Sequence, residues 1–284
     1  VSILFVSSQA LAGRVAALYD VEIPVADESA ATRNQAFEQG LDEVFVRISG
    51  DSIVMDRLER PPSSRYVKQF SYEPIIMPSA DGAAAKYDAE MKHRLKIHYN
   101  GSLMEKYLQE NGFAAWGQYR PDVVVWLVVR DGRNEYVLKD SDSSLIKKAT
   151  AEALVRRGIP GRWPLYDKKD RKILNVADIR GGFKEPVKKA SQRYGRGPVL
   201  AGSMIWNGRQ WQSSWSLLVE EDNRHWTVDE TDHRRLVNKA IDQAADMLGG
   251  VFAVNNVTEK QQLDTIQLDV QAVDSVEKYR QLEN

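Results

Sequence analysis

The chain has no cysteine among its 284 residues. Disulfides, thiolate metal sites and cysteine nucleophiles are thereby excluded together, while the redox compartment stays open. Histidine is almost as scarce, with His93, His98, His225 and His233 making four. His93 and His98 stand five apart on a predicted strand, so they point to opposite faces and cannot share one site. His225 falls on the polar side of another strand and His233 in the first turn of a helix, so no histidine metal centre is expected. Charge of one sign is lacking too: 39 basic and 40 acidic side chains leave a net charge of −1. Such a balance gives no global field for nucleic acid or an anionic membrane, and the run "KKDRK" at 168 to 172 reads as a solvated face.

Several signatures are missing as well. No serine sits in G-x-S-x-G, so the nucleophile elbow of an α/β-hydrolase is absent. Gly195, Gly197 and Gly202 precede a strand, whereas a phosphate-cradling loop follows a strand and opens a helix. "DSDSSL" from Asp140 imitates a calcium loop for three residues, but Leu145 stands where glycine is needed and Ala151 where a bidentate Glu is needed. It reads as a turn and a helix N-cap. No segment reaches the roughly 18 apolar residues that span a bilayer, so no stable membrane insertion of the mature chain is expected. No cofactor or metal is expected.

What is present is a globular balance, 43% hydrophobic and 28% charged, in a chain long enough for two domains. The opening "VSILFVSSQALA" runs from an apolar stretch to Ala10-Leu11-Ala12, like the end of a secretory signal with an A-x-A site. Cleavage then follows Ala12, and the competing reading is a buried N-terminal strand. The layout expected is a signal-peptide remnant at 1–12, an α+β domain at 13–118, an α/β domain at 119–254, and a linker with the start of a truncated third module at 255–284.

In the first domain, "AALYDVEIPV" reads as a strand. Phe37, Leu41, Val44, Phe45 and Ile48 recur at helical spacing, with Asp27 or Ser29 to cap the helix and Ser49-Gly50 to stop it. Residues 55 to 69 read as a weaker helical piece broken by Pro61-Pro62. "FSYEPIIMP" and "MKHRLKIHYN" are strands joined by the "SADGAAAKYD" loop, the second placing Met91, Leu95, Ile97 and Tyr99 on one face. A helix with Leu103, Met104, Tyr107 and Leu108 and a short strand "FAAW" complete a β-α-β-β-α-β order, the ferredoxin-like pattern.

The second domain opens with "VVVWLVV", residues 123 to 129, a continuous apolar run expected for a strand covered on both faces. A helix from about Ser143 to Arg157 with Gly158 as its stop leads to a short strand "WPLY". Phe183, Val187, Ala190 and Tyr194 mark another helix, with Pro186 in its first turn. Three strands follow, joined at Asn207-Gly208 and Asp222-Asn223. A closing helix carries Leu236, Ala240, Ile241, Ala244, Met247, Leu248, Val251 and Phe252 on one stripe. Beyond it, "IQLDVQAV" reads as a strand and "SVEKYRQLEN" as a helix start.

"WNGRQWQSSW" holds Trp206, Trp211 and Trp215 within ten positions. With a two-residue loop at Asn207-Gly208, Trp206 pairs with Arg209, Met204 with Trp211 and Leu200 with Trp215, so all three indoles share one face. Leu217, Val219, Trp226 and Val228 join that face. Four exposed indoles would make a patch larger than the few hundred Å² a monomer usually shows, so Trp211, Trp215 and Trp226 are expected in the core. Trp206 stands at the hairpin tip beside Arg209, where a cation–π pair or a partner contact is the expectation. Asp167, Asp170 and Asp178 are candidate carboxylates for acid–base work, set against a reading as surface turn residues.

The stretches "LYDVEIPVADESAATRNQAFEQGLDEVFVRISG", "RPDVVVWLVV", "RRGIPGRWPLYDKKDR", "DIRGGFKEPVKKASQRYG", "VLAGSMIWNGRQWQSSWSLLV" and "IDQAADMLGGVFA" resemble, in that order, a proteobacterial periplasmic family. That family is called domain of unknown function two thousand and sixty-six, and the resemblance covers about residues 18 to 255. It implies an exported, periplasmic protein with no catalytic residues to carry over. More loosely, the order of elements from 121 to 254 is similar to the amino-terminal α/β domain of the Tol system protein TolB and to envelope lipoproteins of the curli-secretion type, which bind proteins. The expectation is a non-enzymatic envelope adaptor or assembly factor that contacts an envelope or inner-membrane protein. A peptidoglycan or glycan-binding module at Trp206 and Arg209, and a hydrolase using Asp167, Asp170 or Asp178, are the alternatives.

Overall fold

A computed structural model describes residues 12–75 and 91–254. The signal-peptide remnant, apart from Ala12, the end of the expected strand "FSYEPIIMP" from residue 76 with the whole "SADGAAAKYD" loop, and the linker, strand and helix expected at 255–284 lie outside the described residues. The chain is mixed α/β, as expected.

The first module is built on β2 (Asp20–Val25), β3 (Val67–Pro74) and β4 (His93–Tyr99), in the antiparallel order β2-β4-β3. Strict alternation on β2 and β4 sends Val21, Ile23, Val25, Leu95, Ile97 and Tyr99 under α1 (Ala30–Ser49) and α2 (Gly101–Glu110). Pro24 sits on an edge strand, where its missing N–H costs no ladder bond. Ser29 caps α1 through its side chain, and Gly50 ends it at φ 69°, a left-handed position where a Cβ would lie 2.6 Å from the Gly249 Cα. All five α1 residues picked out by spacing are buried.

Two expectations fail here. In place of a helical piece broken at Pro61-Pro62, residues 54 to 69 hold a single 3₁₀ turn on either side of the prolines, Val54–Asp56 and Ser63–Arg65, and the start of β3, because Val67 finds Tyr99 as its strand partner. "FAAW" is not a fourth strand. Its Ala115 exchanges backbone bonds with Val254, and the Trp116 N–H donates to the Ile48 carbonyl at 2.6 Å, so this stretch stitches the modules together. A separate two-stranded pair, β1 (Ala12–Arg14) with β5 (Tyr119–Pro121), was not foreseen.

The second module is a six-stranded mixed sheet of order β11-β10-β9-β6-β7, with β8 (Gly161–Arg162) on the other half of β6. Here β6 is Val123–Asp131, β7 Asn134–Val137, β9 Val199–Trp206, β10 Trp211–Val219 and β11 Asp222–Glu230. β6 is central and buried on both faces. Its odd residues meet α3 (Leu145–Arg156) and α7 (His233–Phe252), while Val124, Trp126 and Val128 meet α5 (Val176–Gly181) and α6 (Lys184–Ser191). Ser144 caps α3 and Gly158 follows it at φ 64°, as expected. Pro186 lies in the first turn of α6.

"WPLY" does not form a strand. Pro164 has no N–H to give, and Tyr166 adopts φ 47°, so the chain leaves the sheet after Arg162. It enters α4 (Lys168–Ile173), which, like α5 and β7, the apolar spacing did not indicate. On α7, Val251 turns away from the buried stripe and is half exposed, its place taken by Val237, Ala245 and Gly249.

Candidate functional site

The hairpin carries the candidate partner residues. Trp206 pairs with Trp211, Met204 with Ser213, Gly202 with Trp215 and Leu200 with Leu217, two positions out of the expected register. The loop is therefore Asn207 to Gln210, held by Asn207 Oδ1 accepting from the backbone N–H groups of Arg209 and Gln210 at 3.0 Å. The second turn likewise moves back to Glu220-Glu221. Because strand side chains repeat every two residues, an even slip leaves each one on its expected face. Trp215 is fully buried with its Nε1 donating to Ser213 Oγ at 2.9 Å, and it stacks on Trp226 at 6.4 Å. Trp211 and Trp226 pack against the same core while remaining partly open.

Gly202 makes the packing of Trp215 possible. A Cβ there would sit 2.5 Å from the indole, so only hydrogen fits beneath the ring.

Trp206 is half-buried at the tip, and its ring lies 5.4 Å from that of Trp211 at 51°. Arg209 is exposed in the loop; its guanidinium is over neither indole, and among the described residues it pairs with no carboxylate. The structure therefore brings Trp206 and Trp211 together and leaves Arg209 beside them, without the expected cation–π pair.

The three candidate carboxylates are each occupied. Asp167 caps α4 by accepting from the N–H groups of Lys169 and Asp170, and binds Arg193 at 2.8 Å. That guanidinium, with the two backbone donors, holds its pKa down to about 2. Asp170 is no surface residue: it is fully buried, accepting from Arg193 Nη1 at 3.0 Å and from the Tyr194 hydroxyl at 2.5 Å. Burial, and then the bond to Asp170, push the Tyr194 phenol up to about 12. Asp178 closes a capping box with Asn175 at the start of α5. A general acid needs a carboxyl that holds its proton near neutrality, and Asp167 is driven the other way.

The histidines are scattered. His98 Nδ1 lies 2.5 Å from Asp20, His93 faces Glu28 at 3.3 Å, and His225 Nδ1 lies 2.7 Å from the Oγ of buried Ser216. Ser216 is buried close under Gly182, where even a Cβ would lie 1.9 Å from its Oγ. In "DSDSSL", Asp142 accepts from the Ser144 N–H and Ser144 caps α3, the turn and cap read from the sequence. Among the described residues no group of three or more His, Asp or Glu is placed to hold a metal, and no helix is long and apolar enough to cross a membrane.

No sequence pattern points to the charged cluster between the modules. Arg120 is fully buried and, among the described residues, pairs with no carboxylate. It donates to five carbonyls, those of Arg47, Trp116, Gly117, Arg157 and Gly158, at 2.7 to 3.1 Å, with its guanidinium 4.1 Å from the Trp116 ring. Two of those carbonyls, of Arg47 and Arg157, belong to the ends of α1 and α3, where a cation meets the negative pole of the helix. Burial, with Arg47 and Arg157 close by, brings its pKa down to about 9, still charged at neutrality. Arg157 binds Asp246 at 2.7 Å, and Asp246 accepts in turn from Ser52 of the first module at 2.5 Å. The partners stand up to 194 positions apart, so no local pattern could reveal them.

A family model matches residues 12–117. It is described as Domain of unknown function (DUF8605), and differs from the family that the motifs resemble. The matched stretch contains the three-stranded sheet, α1 and α2, and ends just before Arg120. No curated protein and no solved structure matches the chain.

Proposed function

We propose that the chain is a non-enzymatic adaptor or assembly factor of the cell envelope, exported to the periplasm, where it binds an envelope or inner-membrane protein. The observation that carries this reading is the Trp206–Trp211 pair at the hairpin tip, with the exposed Arg209 beside it. Trp and Arg are enriched among interface anchors, because they combine large apolar area with a polar handle. Indoles meeting at 51° make a ridge that fits a groove in a protein, rather than the flat platform on which a sugar ring stacks. The occupied state of Asp167, Asp170 and Asp178 supports a role without acid–base chemistry. The motif resemblance and the opening "VSILFVSSQALA" support export.

The test is cross-linking in living cells with a photoreactive residue at position 209. The expected result is a covalent adduct with a single envelope protein, and Trp206→Ala weakens that binding in vitro by about 2 kcal/mol or more. Retention on peptidoglycan that depends on Trp206, with no protein adduct, overturns the adaptor reading in favour of a glycan-binding module. Recovery of the protein in the cytosolic fraction overturns export.

A further inference from the structure

β11 is the outer strand of the six-stranded sheet. It pairs with β10 on one side and, among the described residues, with no strand on the other. A nine-residue edge is a template for another strand, and proteins commonly guard such edges with charge. On "DNRHWTVDE" the charges are arranged so that the strand is complementary to itself.

We infer that β11 is the interface of a twofold dimer, in which the β11 of a second copy pairs antiparallel with it and Thr227 lies on the axis. In that register Arg224 stands opposite Glu230 of the second copy, His225 opposite Asp229, Trp226 opposite Val228, and Thr227 opposite itself. Each unlike pair occurs twice, because a twofold interface is isologous. Placing Trp226 on the axis instead would set Asp222 against Glu230 and Asn223 against Asp229, so acid would meet acid at both ends. Charge therefore favours the Thr227 register over the Trp226 one, and the antiparallel ladder accepts a twofold at either kind of residue pair.

The surroundings fit this occupant. Arg224, His225, Thr227 and Asp229 are exposed. Alongside Arg224, the α7 residues Gln243, Met247 and Val251 line an open cleft of about 490 Å³, and Val251 is 50% exposed on a helix whose other large apolar side chains are buried or half-buried. A twofold at Thr227 keeps both copies of α7 on the same side of the joined sheet. The second copy's helix then covers Met247 and Val251, which gives Val251 a reason to be apolar.

Sedimentation equilibrium of the 284-residue chain tests the inference, and a dimer at micromolar concentration is the expected result. Thr227→Lys brings two ammonium groups together on the axis and raises the dissociation constant by about tenfold or more. His225→Asp sets Asp against Asp and weakens the dimer, while His225→Asp combined with Asp229→Lys restores opposite charges and the dimer with them. Circular dichroism shows whether the variants stay folded, as their exposed positions lead one to expect. A monomer at all concentrations overturns the inference, as does a dimer indifferent to Thr227→Lys or a double variant that fails to recover.

Discussion

The three-stranded sheet keeps one face dry and leaves the other to ions, whereas β6 in the larger sheet is dry on both. On the open face Lys96 lies 2.7 Å from Glu73 and 3.7 Å from Glu22, Arg94 reaches Glu22 at 3.5 Å, and His98 meets Asp20. Exposed pairs of this kind gain little, since water and salt screen them and long side chains lose freedom. Every residue from Val123 to Val129 is instead enclosed, between α3 and α7 on one side and α5 and α6 on the other. The second sheet is thus the more deeply enclosed of the two, and the open face of the first is where residues are expected to change at small cost.

The largest effect that would break this contrast is expected at Trp126. Its ring is fully buried between Tyr166 and Tyr194, and its Nε1 donates to Ser191 Oγ at 2.8 Å. Trp126→Ala should cost about 3–5 kcal/mol, while Lys96→Ala leaves the urea midpoint nearly where it was. Equal shifts for the two would refute the division into a heavily buried and a lightly buried sheet.

Next comes the junction. Arg120→Met keeps most of the volume but leaves five carbonyls without their donor, at a cost of about 2–4 kcal/mol. All seven tryptophans lie at position 116 or later, so indole fluorescence follows the second sheet, while circular dichroism follows both. In the native chain the two signals should change together on unfolding. With Arg120→Met they should separate, the dichroism beginning to fall first. Coincident transitions in the variant would mean that the modules are coupled by something other than Arg120.

The same contrast explains what the sequence revealed. Alternation on β4 and the unbroken run of β6 are direct records of one covered face and of two. The expected faces of Trp206 to Val228 hold although both turns were misplaced, because the slips were even. α4 and α5, six residues each, are too short for a helical period to show, and β7 has only four residues. Asp170 read as a surface residue because its burial depends on Arg193 and Tyr194, more than twenty positions away. Of the site, the Trp206 tip was legible from spacing, while the Arg120 cluster depends on bonds to Arg47, Arg157 and Gly158 that are 37 to 73 positions away.

The smallest effect concerns the helices that cover the second sheet, where charge has a role the open face of the first does not give it. Arg193 holds Asp167 ionised, at about 2 against an ordinary 3.8. A carboxylate whose pKa is lower in the folded state contributes its stability in full above the unfolded value, and loses it as pH falls through the folded one. Asp167→Asn keeps an amide oxygen to cap α4 but removes the charge facing Arg193. The variant should be less stable than the native chain at neutral pH, and the gap should close between about pH 4 and pH 2, the window set by those two values. Urea midpoints across that range decide the matter. A gap that persists unchanged at pH 2 would mean that the loss does not come from the charge on Asp167, and that the ion pair with Arg193 adds no more there than the lattice on the open sheet.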